Sequence, residues 1–215
     1  RNINKINELL LTPYVKTPPT FIYKLPFRLN KFLYRKRLRY PHRWIASISD
    51  YHDYTPPEHI KNQIIHYANH QPFCYKDPRF SYTLPTWKPY LNNVIFVVVF
   101  RHPSLTADSI QREMRDLKSM NYLKINYLYL IDMWMNMYKS ILHCFEKDSI
   151  NPWVFIHFNQ LFQKETYREL SKISGVNLND KFPEKSIAKT VTTYAVDNEA
   201  EILYYKLCKL SGYEQ

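Results

Sequence analysis

The sequence predicts an α/β fold with a central parallel sheet, mostly helical outside that sheet, in one domain over residues 1–215. Two short segments carry strand signals, residues 92–100 (NNVIFVVVF) and residues 153–158 (WVFIHF). A run that is β-branched and aromatic on both faces is typical of a strand buried beneath helices on two sides. Stretches with helical periodicity separate and flank these segments, and strands that alternate with helices indicate a parallel sheet.

The first half of the chain is predicted to be mainly helical. Residues 2–11 have helical spacing, and Pro13 ends this helix because its ring cannot continue one. Residues 58–69, preceded by two prolines, form a second predicted helix. The segment CYKDPRFSYTLPTW then predicts a short strand that ends near Tyr75 and a turn built on Pro78.

The second half alternates the two strands with helices. The apolar spacing predicts three of these helices, over 104–115, 116–145 and 163–173. Gly175 marks the end of the third. The final predicted helix, residues 197–210, has acidic residues in its first turn and lysines near its end. We expect Asp197 as its N-cap and Gly212 beyond its end.

The amino-acid composition limits the classes of function that are open to this protein. Thirty basic and nineteen acidic residues give a net charge of +11, which favours anionic partners. The chain has two glycines, where average usage gives about fifteen, so no GxxxxGK or GxGxxG phosphate loop can be written. Three cysteines without CxxC spacing favour a reducing compartment, so we expect a cytoplasmic protein. The longest apolar run, residues 94–100, is too short to span a membrane.

Two further features have both a functional and a purely structural interpretation. Residues 28–43 (RLNKFLYRKRLRYPHR) carry seven Lys or Arg and no acid. They fit a solvated surface helix, a surface for an acidic ligand, or a nucleic-acid or membrane contact. His66 and His70 stand at i and i+4, a spacing that can hold a metal, but the glutamate of HExxH is missing and no third ligand is evident. From the sequence we expect no metal.

The residues that follow the predicted strands are the candidate binding residues. In open α/β sheets, ligands bind beyond the carboxyl ends of parallel strands, where helix N-termini attract anions. Arg101 directly follows the strand at 92–100, and Ser109 lies one to two turns inside the next helix, so both can converge on one phosphate. Lys76 and Arg79 would add cations at the same edge. The alternative is a salt-bridging Arg101 and a packed Ser109.

Taken together, these residues resemble the sulfotransferase family that uses 3′-phosphoadenosine 5′-phosphosulfate (PAPS), particularly its bacterial branch. The similarity is carried by KDPRF at 76–80, TLPTW at 83–87, the strand VIFVVVF, and RHP at 101–103 followed by Ser109. Residues 3–10 resemble the helix after the family's phosphosulfate loop, and the Asp132-Met133-Trp134 run resembles its tryptophan-bearing long helix. The resemblance covers most of the chain and is strongest over residues 74–112.

The resemblance implies both a fold and an activity. The fold is a P-loop-like three-layer α/β/α sandwich, and the activity is transfer of a sulfuryl group from PAPS to an acceptor hydroxyl or amine, such as one on a glycan. Arg101 and Ser109 would bind the 3′-phosphate of PAPS, with Arg79 as a further candidate. Lys76 would lie near the transferring sulfuryl group and its bridging oxygen.

The chain departs from the family's pattern at two places. The phosphosulfate loop, usually Gly-x-x-Arg-Ser-Gly-Thr in this branch, does not occur in the 215 residues. Because the chain opens directly into apolar helical spacing, we expect this loop to lie before Arg1 or to have been lost. The catalytic histidine that cytosolic members carry two places after the lysine is replaced by Pro78. The general base is then another group, with Glu8, Asp77 and His102 as candidates.

Two other function classes stay open from the sequence. A P-loop-type small-molecule kinase would share the sheet and its cations, but it needs Mg²⁺ and a carboxylate after a strand. A non-catalytic basic module would use residues 28–43 on nucleic acid and would bind more weakly as salt rises. Of the three classes, we expect a sulfotransferase that acts on a small-molecule or glycan acceptor. We expect no specific nucleic-acid partner and no membrane span.

Overall fold

The structure is a computed structural model that describes residues 2–15, 40–49, 55–117, 120, 123, 125–180 and 195–214. The described elements in chain order are α1 (Asn2–Leu10), α2 (Glu58–Ala68), α3 (Phe80–Trp87), β1 (Phe96–Phe100), α4 (Pro103–Asp116), α5 (Tyr127–Glu146), β2 (Trp153–His157), α6 (Lys164–Ser174) and α7 (Asn198–Ser211), with short 3₁₀ helices at Tyr40–Ile45, Lys88–Tyr90 and Phe158–Phe162. Two compact units result, one of Arg1–Asn92 with Ile110–Lys147 and one of Asn93–Ser109 with Asp148–Gln215. The chain is thus a mixed α/β protein whose described strands both belong to the second unit.

The first unit is built from helices, and the predicted helices at 2–11 and 58–69 are confirmed as α1 and α2. Their apolar spacing places one buried row on each helix, because residues three and four apart share a face. These rows and the indole of α3 form one core cluster of Ile6, Leu10, Ile60, Ile64 and Trp87. The apolar residues of both helices therefore pack in one core with α3.

The prediction of a short strand that ends near Tyr75 is wrong. Residues 73–77 have no regular secondary structure and pair with no strand in the described part of the chain. Side chains hold this segment instead. The hydroxyl of Tyr75 donates to the backbone carbonyl of Tyr67 at 3.0 Å, and its ring stacks on Phe73 with centroids 4.5 Å apart. The turn predicted at Pro78 is confirmed, and α3, which the pattern did not predict, begins directly after it.

The helical stretch predicted over 116–145 is confirmed from Tyr127 onward, but its predicted start at 116 is wrong. α4 ends at Asp116 and α5 begins at Tyr127. The side chain of Asn126 accepts a hydrogen bond from the backbone N–H of Tyr129 at 2.9 Å, and this N-cap starts the new helix. Apolar periodicity continues across the boundary, which is why the spacing alone did not reveal it.

The two predicted strands of the second unit are confirmed as a parallel pair. β1 and β2 pair in register, from Phe96 opposite Trp153 to Phe100 opposite His157. The strands therefore end at the same level, and their carboxyl ends form one edge of the sheet. The helix predicted after the first strand is confirmed as α4, which begins at Pro103 and runs on into the first unit.

The expectation that β1 is buried on both faces is wrong. Val98 and Phe100 on one face are buried, but Val97 and Val99 on the other are 48% and 43% exposed. Among the described residues β1 pairs with β2 alone, so a place in the centre of a larger sheet is not seen either. β-branched residues favour an extended, pleated backbone on either face, so their presence indicated the strand without indicating its cover.

Both glycines of the chain end helices in the left-handed backbone conformation. Gly175 follows α6 with φ 68°, and Gly212 follows α7 with φ 62°. Glycine enters this region without the steric cost that a Cβ brings. At the start of α7, the carboxylate of Asp197 accepts the backbone N–H of Ala200 at 2.8 Å. The predicted caps of α6 and α7 are confirmed.

Other sequence predictions concern segments that the structure describes only in part. Most of the basic segment, residues 28–39, lies outside the described residues. None of the helices in the described ranges is both long enough and apolar enough to cross a membrane. The three cysteines are free thiols, with Cys74 exposed and Cys144 and Cys208 buried.

One carboxylate fixes the turn that leads into β2. Asp148 accepts hydrogen bonds from the backbone N–H groups of Ile150 and Asn151, from the amide of Asn151 and from the indole of Trp153. Burial alone would raise the pKa of Asp148, but these hydrogen bonds stabilise the carboxylate and lower its pKa well below its usual range. The ionised side chain thus stabilises the start of β2.

We expect Asp148→Ala to lower the free energy of unfolding at pH 7 by about 1–3 kcal/mol. A pKa that is lowered in the folded state stabilises the fold above the unfolded pKa of about 4, and this stabilisation disappears as the pH falls through the folded value. The difference between wild type and variant therefore persists at pH 5 and shrinks at pH 3, as urea unfolding would measure. Glu169→Ala, which removes an exposed carboxylate of α6, is the control. A difference that stays constant from pH 7 to pH 3 would contradict the role given to the charge.

Candidate functional site

A buried charged cluster joins α1 to the turn that precedes α3. Its members, which we call the Arg79 cluster, are Asn7, Glu8, Asp77 and Arg79, and all four side chains are buried. The guanidinium of Arg79 donates from Nη1 to Oδ1 of Asp77 at 2.9 Å and from Nη2 to Oε1 of Glu8. One guanidinium therefore forms ion pairs with two carboxylates that come from distant parts of the chain.

Asp77 uses both of its carboxylate oxygens. Oδ1 also accepts the backbone N–H of Arg79 at 3.0 Å, and Oδ2 accepts the amide of Asn7 at 3.0 Å. A carboxylate bonded to the N–H two residues further on closes an Asx turn. Lys76 directly precedes this turn, and its side chain is exposed. The turn therefore holds the backbone next to Lys76 while the ammonium faces solvent.

Polar partners from neighbouring elements complete the cluster. Oδ1 of Asn7 accepts the hydroxyl of Thr83 at 2.9 Å and the indole N–H of Trp87 at 2.8 Å, both in α3. Nη1 of Arg43 donates to the backbone carbonyl of Glu8 at 2.6 Å. Hydrogen bonds from buried groups thus join α1 to α3 and to the 3₁₀ helix that contains Arg43.

The hydrogen-bonding capacity of Glu8 is only partly used. Within the described part of the chain, its buried Oε2 has no hydrogen-bond partner. Burial raises the pKa of Glu8 above its usual range, although the charges of Arg79 and Arg43 act to lower it. The ionised form of Glu8 therefore depends on the guanidinium beside it.

The carboxyl ends of β1 and β2 form a second candidate site, in the second unit. Arg101 follows β1 and is half-buried, and Cζ of its guanidinium lies 4.7 Å from the centroid of the Phe158 ring. A cation at this distance over an aromatic face is attracted by the ring quadrupole. Because the register pairs Phe100 with His157, the residues that come next, Arg101 and Phe158, lie side by side.

Two histidines cap the helices that begin at this edge. Nδ1 of His102 accepts the backbone N–H of Ser104 at 3.3 Å, and Nδ1 of His157 accepts that of Asn159 at 3.2 Å. A nitrogen that accepts an N–H carries no proton, so the ring proton of each histidine is on Nε2. Nε2 of His102 lies 3.4 Å from Oε1 of Glu201 in α7. His102 therefore has a capping contact on one nitrogen and a carboxylate beside the other.

His157 is a neutral link between β2 and the C-terminal elements. Burial, together with the charge of Arg101, lowers the pKa of His157 to about 4. The neutral ring donates from Nε2 to the hydroxyl of Tyr204 at 3.2 Å and stacks on Tyr213 with centroids 3.8 Å apart. At neutral pH the positive charge at this edge thus comes from Arg101 and not from His157.

The residues predicted for the site are divided between the two units. The structure brings Glu8, Asp77 and Arg79 together, and the guanidinium of Arg79 lies between the two carboxylates. Ser109 lies in the second turn of α4 and is exposed. The assignment of Arg101, Ser109 and Arg79 to PAPS, and of Lys76, Asp77 and Glu8 to catalysis, stays a prediction.

Sequence reasoning missed several residues that shape these sites. Phe158 could have been identified by its position, because it follows the second strand as Arg101 follows the first. Only the strand register shows that the two residues are neighbours. The capping role of His102 and His157 was also visible in part, since each stands where a strand gives way to a helix. The role of Asn7 had no local signal, because its partners lie seventy or more positions away.

Comparison with known proteins adds no family assignment to these observations. No family model matches the chain, and no curated protein or solved structure matches it. In the ranges that the structure describes, no group of three or more His, Cys, Asp or Glu side chains could hold a metal ion. The fold and sites define a mixed α/β protein with an arginine at the carboxyl edge of a parallel sheet, and its function has to be argued from those sites.

We expect Arg79→Met to lower the free energy of unfolding by about 3–5 kcal/mol, because it leaves two buried carboxylates without their cation. Combining it with Glu8→Gln and Asp77→Asn removes both unpaired charges, so the triple variant is expected to be more stable than Arg79→Met alone. Urea unfolding at pH 7 measures both, with the exposed Arg168→Met as the control. A triple variant that is no more stable than the single variant would show that charge balance is not the reason for the loss.

Proposed function

We propose that the protein is a PAPS-dependent sulfotransferase that acts on a hydroxyl or amine of a small-molecule or glycan acceptor. The observation that carries this proposal is Arg101, which stands at the carboxyl edge of two parallel strands, just before the N-terminus of α4. A guanidinium beside helix N–H groups is suited to a phosphate. The KDPRF and RHP runs, which resemble the bacterial branch of the sulfotransferase family, point to this nucleotide in particular.

The donor groups at the sheet edge fit an anionic ligand. Phe158 restrains the guanidinium of Arg101, and a side chain that is already restrained loses less entropy when it binds. Ser109 exposes a hydroxyl on α4, eight positions after Arg101. In the proposal these two residues bind the 3′-phosphate of PAPS, Arg101 through charge-assisted hydrogen bonds and Ser109 through a neutral one.

Lys76 is the proposed catalytic cation. When bound, PAPS supplies an activated sulfuryl group whose leaving group is a phosphate. Lys76 presents an exposed ammonium from a turn fixed by buried hydrogen bonds, so its charge can be directed at an oxygen that becomes more negative during the transfer. Because the turn is already fixed, the backbone that carries this cation needs little rearrangement in the transition state.

The Arg79 cluster supports Lys76 in this proposal. Asp77 and Glu8 were predicted as candidates for the general base and Arg79 as a ligand of PAPS. Their side chains are buried and bonded to one another. A base must reach the proton that it removes, so we assign these three residues to holding the Lys76 turn in place.

The proposal includes the P-loop-like three-layer α/β/α sandwich that the family resemblance implies. The two-stranded parallel sheet and the surrounding helices are compatible with part of such a fold. The phosphosulfate loop does not occur in the 215 residues. The proposal therefore assigns contacts to the 3′-phosphate and to the transfer region, and none to that loop.

If the 3′-phosphate binds at the sheet edge, the chain binds adenosine 3′,5′-bisphosphate more tightly than AMP. Arg101→Ala is expected to weaken bisphosphate binding by about 2–4 kcal/mol and Ser109→Ala by about 0.5–1.5 kcal/mol, because a charged bond is lost in the first and a neutral one in the second. Calorimetry on folded variants measures this, with Arg115→Ala, an exposed arginine of α4, as the control. Unchanged affinity in a folded Arg101→Ala variant would remove the assignment.

A second prediction separates a catalytic lysine from a binding one. Lys76→Ala is expected to lower kcat and kcat/KM alike, by about 10²–10³-fold, with little change in the affinity for adenosine 3′,5′-bisphosphate. Lys76→Arg is expected to restore activity only in part, since a planar guanidinium does not replace a compact ammonium at one oxygen.

Steady-state kinetics with an acceptor found by screening tests this role of Lys76. The exposed Lys147→Ala is the control. A Lys76→Ala variant with a higher KM and an unchanged kcat would show that the lysine binds substrate without stabilising the transition state.

A further inference from the structure

Two histidines lie together at the C-terminal end of α2. His66 is in the last turn of the helix, His70 follows the helix end, and both side chains are exposed. Their ring centroids are 4.2 Å apart, with the ring planes tilted by 53°. The i and i+4 spacing puts the two rings on the same side of the chain, because the helical turn continues through Asn69.

The separation of the rings is close to that of two imidazoles bound to one metal ion. With a metal–nitrogen distance of about 2.0–2.1 Å, each ring centroid lies about 3.2 Å from the ion, and ligands about 90–110° apart have centroids about 4.5–5.2 Å apart. The observed 4.2 Å is about 0.3 Å shorter than the lower end of this range. Small rotations of either exposed side chain supply that difference.

His70 is already held in a tautomer that suits a metal ligand. Its Nδ1 lies 2.6 Å from the backbone carbonyl oxygen of His66, and a carbonyl only accepts, so Nδ1 carries the proton and donates. The lone pair is then on Nε2. Metal-binding histidines commonly donate their second ring nitrogen to a carbonyl in this way, which fixes the ring and makes the ligand nitrogen more basic.

The surroundings of the pair leave room for the remaining ligands of an ion. A surface groove of about 440 Å³ is lined by His66 together with Asn62, Gln63 and the cationic Lys5, and His70 lines a neighbouring groove of about 380 Å³. Asn62 stands four positions before His66, on the same face of α2, and its amide oxygen is an additional weak ligand. Two imidazoles with water in the other positions form an exchangeable site, for which a third strong protein ligand is not required.

We propose that His66 and His70 bind one divalent transition-metal ion, through Nε2 of His70 and a ring nitrogen of His66. Imidazole ligands and the Irving–Williams order favour Cu²⁺ over Ni²⁺ and Zn²⁺. The bound ion links the last turn of α2 to the residue beyond it and stabilises that end of the helix. This site is independent of the proposed sulfuryl transfer.

Calorimetric titration of the full chain with Cu²⁺ and with Ni²⁺ at pH 7.5 tests the site. We expect one Cu²⁺ per chain with an affinity at least 10-fold weaker in His66→Ala and in His70→Ala, and unchanged in His59→Ala, an exposed histidine of the same helix. Lowering the pH to 5.5 weakens binding, because protons compete for the imidazoles. Saturating Ni²⁺ raises the melting temperature of wild type but not of the two variants.

Substitutions of these exposed residues are expected to leave the fold intact, and His66→Gln and His70→Gln provide a second, polar pair of variants. The electron paramagnetic resonance spectrum of the Cu²⁺ complex is expected to show nitrogen hyperfine splitting from two imidazoles, reduced in each single variant. The proposal is overturned by three results: no Cu²⁺ binding, binding by His66→Ala and His70→Ala that is as tight as that of wild type, or binding that His59→Ala abolishes.

Discussion

The ion pairs of Arg79 constrain the packing of the first unit. Glu8 stands in α1 and Arg79 just before α3, so the guanidinium joins segments that are 71 positions apart. An unpaired charge in such a buried place costs several kcal/mol, which excludes arrangements of α1 that leave Glu8 without its partner. The same constraint fixes Asp77 and with it the backbone next to Lys76. The backbone position at Lys76 is therefore a consequence of ion pairing and hydrogen bonding in the interior of this unit.

In the second unit, the register of the two strands determines which residues lie together at the candidate site. Parallel pairing with Phe100 opposite His157 makes the residues after each strand neighbours, and these are Arg101 and Phe158. Helices begin at the same edge, and His157 there is neutral at ordinary pH because burial disfavours its charge. The edge thus carries an oriented guanidinium and helix N-termini, an arrangement that attracts anions without the repulsion of a second buried cation.

The sequence predicted those features that depend on local chemistry. The caps of α7 and the glycine after α6 are signals of single residues, and the alternation of strands and helices follows from apolar spacing. The helix boundary at Asn126 was missed although asparagine is a favoured N-cap, because the apolar spacing runs across it. The helix α3 was not predicted because it contains Pro85, which opposes a helix. Arg101 and Lys76 were identified by their position after expected strands, although the strand before Lys76 does not form. The pairing of Glu8 with Arg79 depends on tertiary packing, and no short window of the sequence contains it.

The two left-handed helix ends at Gly175 and Gly212 account for every glycine in the chain, which also has fourteen prolines. A residue with a Cβ samples fewer backbone conformations in the unfolded chain than glycine does, and proline samples fewer still. Each such replacement at a compatible position favours folding by about 0.4–1 kcal/mol. The unfolded ensemble of this protein is accordingly narrow for its length, and less conformational entropy is lost when it folds. Part of its stability therefore originates in the restricted unfolded chain, where no contact of the folded structure would reveal it.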